Sequence, residues 1–215
     1  MPKVHIVGNP WQYRQMFEKY QWEVVDEPAL ADLIQFTGGE DVSPELYGED
    51  LHSTTRHNPQ RDRREAALFR TAYGWEIPMA GICRGGQFLN VMCGGRMFQD
   101  VDNHSNGPHE AWCNVNQKSI RVTSTHHQMM RPNRSIKHLV TLSSSVSRKR
   151  STKPKGRNET TVYYKQNTLD DVEAIYYPNQ KVFCFQPHPE YNEQEELSAY
   201  YMWSLWKYLL TEKRN

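Results

Sequence analysis

Three observations predict an α/β fold: a doubly wound, mostly parallel sheet flanked by helices, with a small antiparallel portion in the C-terminal half. Up to Gly95, short apolar runs alternate with segments of helical period, the pattern of parallel strands joined by crossover helices. Two of those runs, 33–36 and 77–82, lead straight into glycine-bearing turns, where ligand chemistry sits in such sheets. After Gly95 the helical period gives way to closely spaced strand-like segments.

In chain order, residues 4–7 read as a first strand and Gly8-Asn9-Pro10 as a turn. Tyr13, Met16, Phe17 and Tyr20 then give a helix its apolar face. Residues 22–25 form a second strand, and 33–36 a third that ends in Thr37-Gly38-Gly39. Residues 40–59 show no sustained period and predict a long loop. A helix over 61–75 offers Ala66, Leu68, Phe69, Ala72 and Tyr73 to a core.

Residues 77–82 are a buried strand by their continuous apolar run. Cys83 stands at its end, Gly85-Gly86 follows, and Gln87, Phe88, Leu89, Val91 and Met92 then recur at helical spacing before Gly94-Gly95. Strand, tight turn carrying a nucleophile-type residue, helix: this is the arrangement of a nucleophile elbow. The free N–H groups and dipole of the helix favour a thiolate there. On this stretch alone, a buried structural cysteine is an equal alternative.

Further on, 96–101 reads as a short strand, followed by a His/Asn/Pro-rich loop through Glu110. Strands are expected at 119–124, which runs into Thr125-His126-His127-Gln128, and at 138–142, 161–165 and 172–177. A last apolar strand, 181–185, ends in Gln186-Pro187-His188-Pro189-Glu190. A terminal helix over 193–210 brings Leu197, Tyr200, Tyr201, Trp203, Leu205, Tyr208 and Leu209 for packing.

The 215 residues suit a single domain spanning 1–215. A net charge of +1 gives no global argument for nucleic-acid or membrane binding. The four cysteines show no zinc spacing. No apolar run approaches membrane-spanning length, and the first strand begins too early for a signal peptide, so a reducing, cytoplasmic location is expected. One stretch breaks composition. Residues 143–160 are rich in serine and in Lys/Arg, at 148, 149, 150, 153, 155 and 157, with almost nothing to bury. They predict a flexible basic insert whose deletion over 147–156 leaves folding intact, with an electrostatic patch as the second reading.

A cysteine nucleophile needs a base, and the base needs a group to hold its tautomer. His188 sits at a strand's carboxyl end, braced by Pro187 and Pro189, and Glu190 is placed to orient it. Singly these are a loop histidine and a helix-start carboxylate; together with Cys83 they form a candidate Cys/His/Glu set.

GICRGGQ, then LNVMCGG, and the late FQPHPE resemble the class I glutamine amidotransferase-like family, above all its γ-glutamyl hydrolase branch (peptidase C26, with the γ-glutamyl-γ-aminobutyrate hydrolases). The stretches 36–42, 61–65, 95–100 (GRMFQD) and 124–128 (STHHQ) match that branch in order. The resemblance implies Cys83 as nucleophile on a γ-carbonyl, His188 as base and Glu190 as its orienting group. It implies backbone N–H groups of Gly39 and Arg84 as the oxyanion hole, and Gly38, Gln87, His127 and Gln128 around the glutamyl group. It implies no metal and no organic cofactor. The expected function is hydrolysis of a small-molecule γ-glutamyl amide through a thioester. The alternative is a glutaminase subunit supplying ammonia to a separately encoded ATP-dependent synthetase or amidoligase; an inactive binding module is a third. Pro187 departs from the family, where a bulky apolar residue precedes the histidine, and so does the basic insert.

Overall fold

A computed structural model describes residues 1–8, 11–164, 171–191 and 195–211. The first half comprises β1 (Lys3–Val7), α1 (Trp11–Lys19), β2 (Glu23–Val24), β3 (Leu33–Phe36), α2 (Pro59–Gly74), β4 (Met79–Ile82) and α3 (Arg84–Met92). Then come β5 (Arg96–Phe98), β6 (Asp100–Val101), β7 (His109–Cys113), β8 (Lys118–Val122), β9 (Met129–Arg131) and β10 (Leu139–Ser144). The chain continues with β11 (Lys149–Thr152), β12 (Thr160–Tyr163), β13 (Asp171–Tyr177), β14 (Val182–Phe185) and α4 (Glu195–Leu205).

A nine-stranded sheet in the order β2-β1-β3-β4-β14-β13-β10-β7-β8 organises the fold. From β2 to β14 every pairing is parallel, and from β14 to β8 every pairing is antiparallel. Alternation along the central strands decides which helices cover which face. Leu33, Ala80, Phe183 and Phe185 point to the face covered by Tyr13 and Phe17 of α1 and Leu197, Tyr201 and Leu205 of α4. Ile34, Met79, Val182 and Cys184 point to the other face, against Ala66 and Phe69 of α2 and Phe88 and Leu89 of α3. The sheet is therefore doubly wound. Each such buried Leu, Ile or Phe contributes roughly 1.5–3 kcal/mol.

Several boundaries differ from expectation, each for a physical reason. The helix expected from Arg61 starts at Pro59, capped by Asn58, whose side chain accepts from the Arg61 N–H at 3.1 Å. Its buried face includes Asp62 and Glu65, while Tyr73 is exposed. The 40–59 loop contains a 3₁₀ turn, Pro44–Tyr47. The expected strand 96–101 splits at Gln99, whose buried side chain donates to Glu49 Oε2 at 3.0 Å and accepts from the His52 N–H at 3.1 Å. The loop through Glu110 ends early because β7 begins at His109, and β9 was not anticipated. Trp203, expected to pack, is 37% exposed. Asn9 and Pro10 of the first turn, Lys165 of the 161–165 strand and residues 193–194 of the terminal helix lie outside the described residues.

The basic stretch 143–160 holds more regular structure than its composition suggests. It contains the end of β10, all of β11 and the start of β12, and β11 pairs on its other side with β6. Arg150 is buried and donates to Asp171 Oδ1 at 2.6 Å; Lys149 donates to Asp100 Oδ2 at 2.5 Å. Long charged side chains enter a core only when paired, and these partners lie 21 and 49 residues away.

Candidate active site

Strands β3, β4 and β14 are parallel neighbours near the middle of the sheet, with their carboxyl ends on the same edge. They carry Thr37-Gly38-Gly39, Cys83 and the 186–190 segment respectively. Cys83 takes φ 50° and ψ −115° between β4 and α3, a left-handed conformation that a non-glycine residue adopts only when its surroundings impose it. The imposition is tight packing. A Cβ at Gly85 would fall 2.3 Å from the Phe36 carbonyl oxygen, so the first turn of α3 lies directly on β3. The N–H of Cys83 is held by the Phe185 carbonyl at 2.7 Å.

His188 meets Cys83 beside Gly38. A Cβ on Gly38 would sit 3.1 Å from His188 Cε1 and 3.7 Å from Cys83 Cβ, so any larger residue there would press on the histidine ring. The imidazole is fixed from three directions. Its Nδ1 hydrogen-bonds Glu190 Oε1 at 2.6 Å, its backbone N–H donates to Thr123 Oγ1 at 2.6 Å, and Tyr191 stacks on the ring at 4.6 Å and 8°. Burial disfavours the imidazolium, but the Cys83 charge and hydrogen bond, with those of Glu190, outweigh it and push the His188 pKa up to about 11.

Two residues absent from the expected site hold it together. The Tyr13 hydroxyl accepts the Gly38 N–H at 2.8 Å, and burial plus the Glu190 charge raise its pKa strongly. Arg61 donates from Nη2 to the Thr37 and Gly38 carbonyls at 3.0 Å each, and from Nε to Glu65 Oε1 at 2.6 Å. Glu65 and Asp62 together bind the guanidinium of Arg84, which is fully buried and lies over the Phe88 ring. Arg84, expected to matter only through its backbone, thus ties the elbow to α2. Tyr13 read as an apolar-face residue; its only signal was a hydroxyl on a face that buries it.

A cavity of about 250 Å³ opens between Cys83, Gly39, Asp41, Arg56, His127 and Gln128. Gln87 also lines it but spends its amide protons on the Gln128 carbonyl at 3.2 Å and Gln186 Oε1 at 3.1 Å, leaving its own oxygen. Gln128 presents a buried Oε1 with no partner among the described residues. His127 hydrogen-bonds Asp41 at 3.2 Å, which, with the charges of Asp41 and Asp100, raises its pKa. Both backbone polar groups of Gly38 are engaged by Tyr13 and Arg61, so Gly38 shapes the site rather than offering it a hydrogen bond. Gly39, at φ 142°, follows it at the cavity wall. A larger cavity of about 490 Å³ lies by Trp112 and Val140 in the antiparallel half, and no expected site residue lines it.

Set against known proteins, residues 24–190 match the family model described as Peptidase C26. The glutamine amidotransferase-like protein YvdE of Lactococcus lactis is 48% identical over 79 residues, which cover 35% of this chain and 33% of that relative. The chain thus aligns with about a third of the length of such curated relatives. A Thermoplasma acidophilum protein described as a subunit of GMP synthase superposes with TM-score 0.61 at 14% identity, covering 94% of this chain and 91% of that one. A glutamine amidotransferase from Thermotoga maritima gives TM-score 0.55 at 15% identity, covering 99% and 85%. The mixed sheet flanked by helices is that of the class I glutamine amidotransferases. Among the described residues no helix is long and apolar enough to cross a membrane.

Proposed function

The chain belongs to the Peptidase C26 family, and from that premise we propose that it hydrolyses the γ-amide bond of glutamine or of a γ-glutamyl conjugate through a γ-glutamyl thioester on Cys83. The observation that carries this reading is the three-way meeting of Cys83, His188 and Gly38, with Glu190 2.6 Å from the far nitrogen of the histidine. The Cys83 thiolate attacks the γ-carbonyl, and the backbone N–H groups of Gly39 and Arg84 receive the developing oxyanion. His188 gives its proton to the departing nitrogen, and the C–N bond breaks to leave the thioester and a free amine or ammonia. A water, deprotonated by the now neutral His188, then opens the thioester to glutamate and regenerates the thiol. Gln87, His127 and Gln128 line the cavity beside Cys83 and are assigned to the glutamyl portion in this reading. Four free cysteines suit a reducing, cytoplasmic setting.

A second reading is a glutaminase component that passes ammonia to an ATP-dependent partner. It is supported by the fold likeness to the Thermoplasma protein described as part of GMP synthase. Glutamate release from glutamine and from a panel of γ-glutamyl amines, by wild type and Cys83→Ala, separates the readings. Conjugates turned over in preference to glutamine support the hydrolase. Glutaminase activity that rises only with an added synthetase supports the second reading, and equal rates for wild type and Cys83→Ala remove both.

A further inference from the structure

The antiparallel half buries a group of histidines and carboxylates that the proposed reaction does not use. His104 is fully buried, with Nε2 3.1 Å from Asp171 Oδ2 and Nδ1 3.7 Å from Glu173 Oε1. His109, on β7, places Nε2 2.9 Å from the same Glu173 oxygen. The rings of His104 and His109 meet edge to face at 5.1 Å, and that of His126 lies 4.7 Å from His104. Strand pairing assembles the group, because β7 and β13 flank β10 in the sheet.

Its electrostatics are incomplete. Glu173 is fully buried, and among the described residues its ion-pair partners are His104 and His109 alone. The neighbouring cation, Arg150, is directed to Asp171. A buried carboxylate without a permanent countercharge costs several kcal/mol. Among the described residues its Oε2 has no hydrogen-bond partner, and neither do His109 Nδ1 and His126 Nε2. The Nδ1 of His126 is engaged by the Gln128 carbonyl at 2.8 Å, so this ring stands beside the group rather than within it.

We propose that His104, His109 and Glu173 form a binding site for a divalent transition metal, with zinc the best match to two imidazoles and one carboxylate. One donor atom from each already lies within 4.8 Å of the others. Tetrahedral zinc holds its ligand atoms roughly 3.3–3.5 Å apart, so side-chain adjustment of an ångström or so closes the set. The metal supplies the positive charge that Glu173 lacks. It takes no part in the hydrolysis; it ties β7, the 102–108 loop and β13 together behind His126, which lines the Cys83 cavity.

The test is zinc titration of the full chain against a chromophoric chelator, in a Cys83→Ala background so that the reactive thiol does not compete. The expected result is one equivalent bound, a rise in Tm on zinc addition, and a loss of affinity exceeding 100-fold on further His109→Ala substitution. X-ray absorption of the zinc-loaded Cys83→Ala chain should show two imidazoles with oxygen and no sulfur, and it decides the matter even if His109→Ala fails to fold. No stoichiometric zinc binding, unchanged affinity in folded His109→Ala, or a sulfur shell would each overturn the assignment.

Discussion

Arg61 Nη2 donates to the carbonyl oxygen of Gly38 at 3.0 Å, so a side chain from α2 sets the position of the loop after β3. The same guanidinium reaches Glu65, and Glu65 reaches Arg84 at the start of α3. The two backbone segments proposed to flank the oxyanion therefore share one ionic frame, and that frame makes the first prediction. Arg61→Lys keeps the charge but loses the planar fork that bridges Thr37, Gly38 and Glu65. The expected outcome is a fall in kcat of up to roughly 10²-fold with a smaller change in KM, since misplacement of about 1 Å costs that much. Steady-state glutamate release measures it; a rise in KM alone would mean that Arg61 acts through substrate binding instead.

Glu190→Gln is the sharper probe of the histidine. The carboxylate accepts from His188 Nδ1 at 2.6 Å and is itself buried. A glutamine can turn its amide N–H toward Nδ1 and stabilise the tautomer with the proton on the wrong nitrogen. Loss of such an orienting carboxylate lowers kcat by as much as ~10⁴ in a serine triad, and a large fall is expected here with Tm little altered. Activity within a few-fold of wild type would remove Glu190 from the mechanism.

The parallel half was legible because each of its features is local. Leu33–Phe36 is an unbroken apolar run ended by Gly38-Gly39, and Cys83 is followed at once by Gly85-Gly86, so β3, β4 and the elbow followed from neighbouring residues. The ionic frame was hidden because Asp62, Glu65 and Arg84 are charged, and a sequence reading places charge outside; each is buried only because the others neutralise it. β11 was hidden for the same reason, since Arg150 enters the core through Asp171, on a strand whose pairing no local pattern announces. Tyr13 was placed on the right face of α1, but its hydrogen bond to Gly38 depends on how closely β1 and β3 bring α1 to the loop.

Gly85→Ala tests the packing that imposes the elbow. The added methyl would meet the Phe36 carbonyl carbon and oxygen at 2.6 and 2.3 Å, both backbone atoms that cannot rotate away. Overpacking of this kind costs about 1–3 kcal/mol and sometimes more, and it also displaces Cys83. A lower urea midpoint together with loss of activity is expected. Unchanged stability would mean that α3 can slide over β3 freely.

His127 should titrate above its ordinary value of 6.5, because the hydrogen bond to Asp41 and then the charges of Asp41 and Asp100 favour its protonated form. A raised folded-state pKa means that its contribution to stability is complete below about 6.5 and is lost as pH rises through the folded value. The ring is 37% exposed, so solvent screens the effect and the stability change is small. Histidine NMR titration reads the midpoint directly, and Asp41→Asn should lower it. A midpoint at or below 6.5 in wild type would contradict the geometry.

Arg150→Ala should be among the costlier single substitutions in the basic stretch. Asp171, fully buried, accepts from Arg150 Nη2 at 2.6 Å, from the Ser147 hydroxyl at 2.5 Å and from the Ser147 N–H at 2.8 Å. Removing the guanidinium takes away the permanent charge beside that carboxylate but leaves the Ser147 and Val146 donors and His104 in place. The expected cost is at or below the low end of the roughly 3–5 kcal/mol for breaking a buried pair. The cation also lies over the Phe98 ring at 5.0 Å, so packing between β11 and β5 is lost with it. Deleting 147–156 removes Ser147 and β11 as well, and an unfolded or aggregated product is expected in place of an intact core. Urea unfolding of Arg150→Ala, Asp171→Asn and the double variant separates the pair from its surroundings. If the pair dominates, the double variant is no less stable than Arg150→Ala, because the stranded charge is gone. Additive losses would show that each residue is held by other contacts, and no loss on Arg150→Ala would return the stretch to a flexible insert.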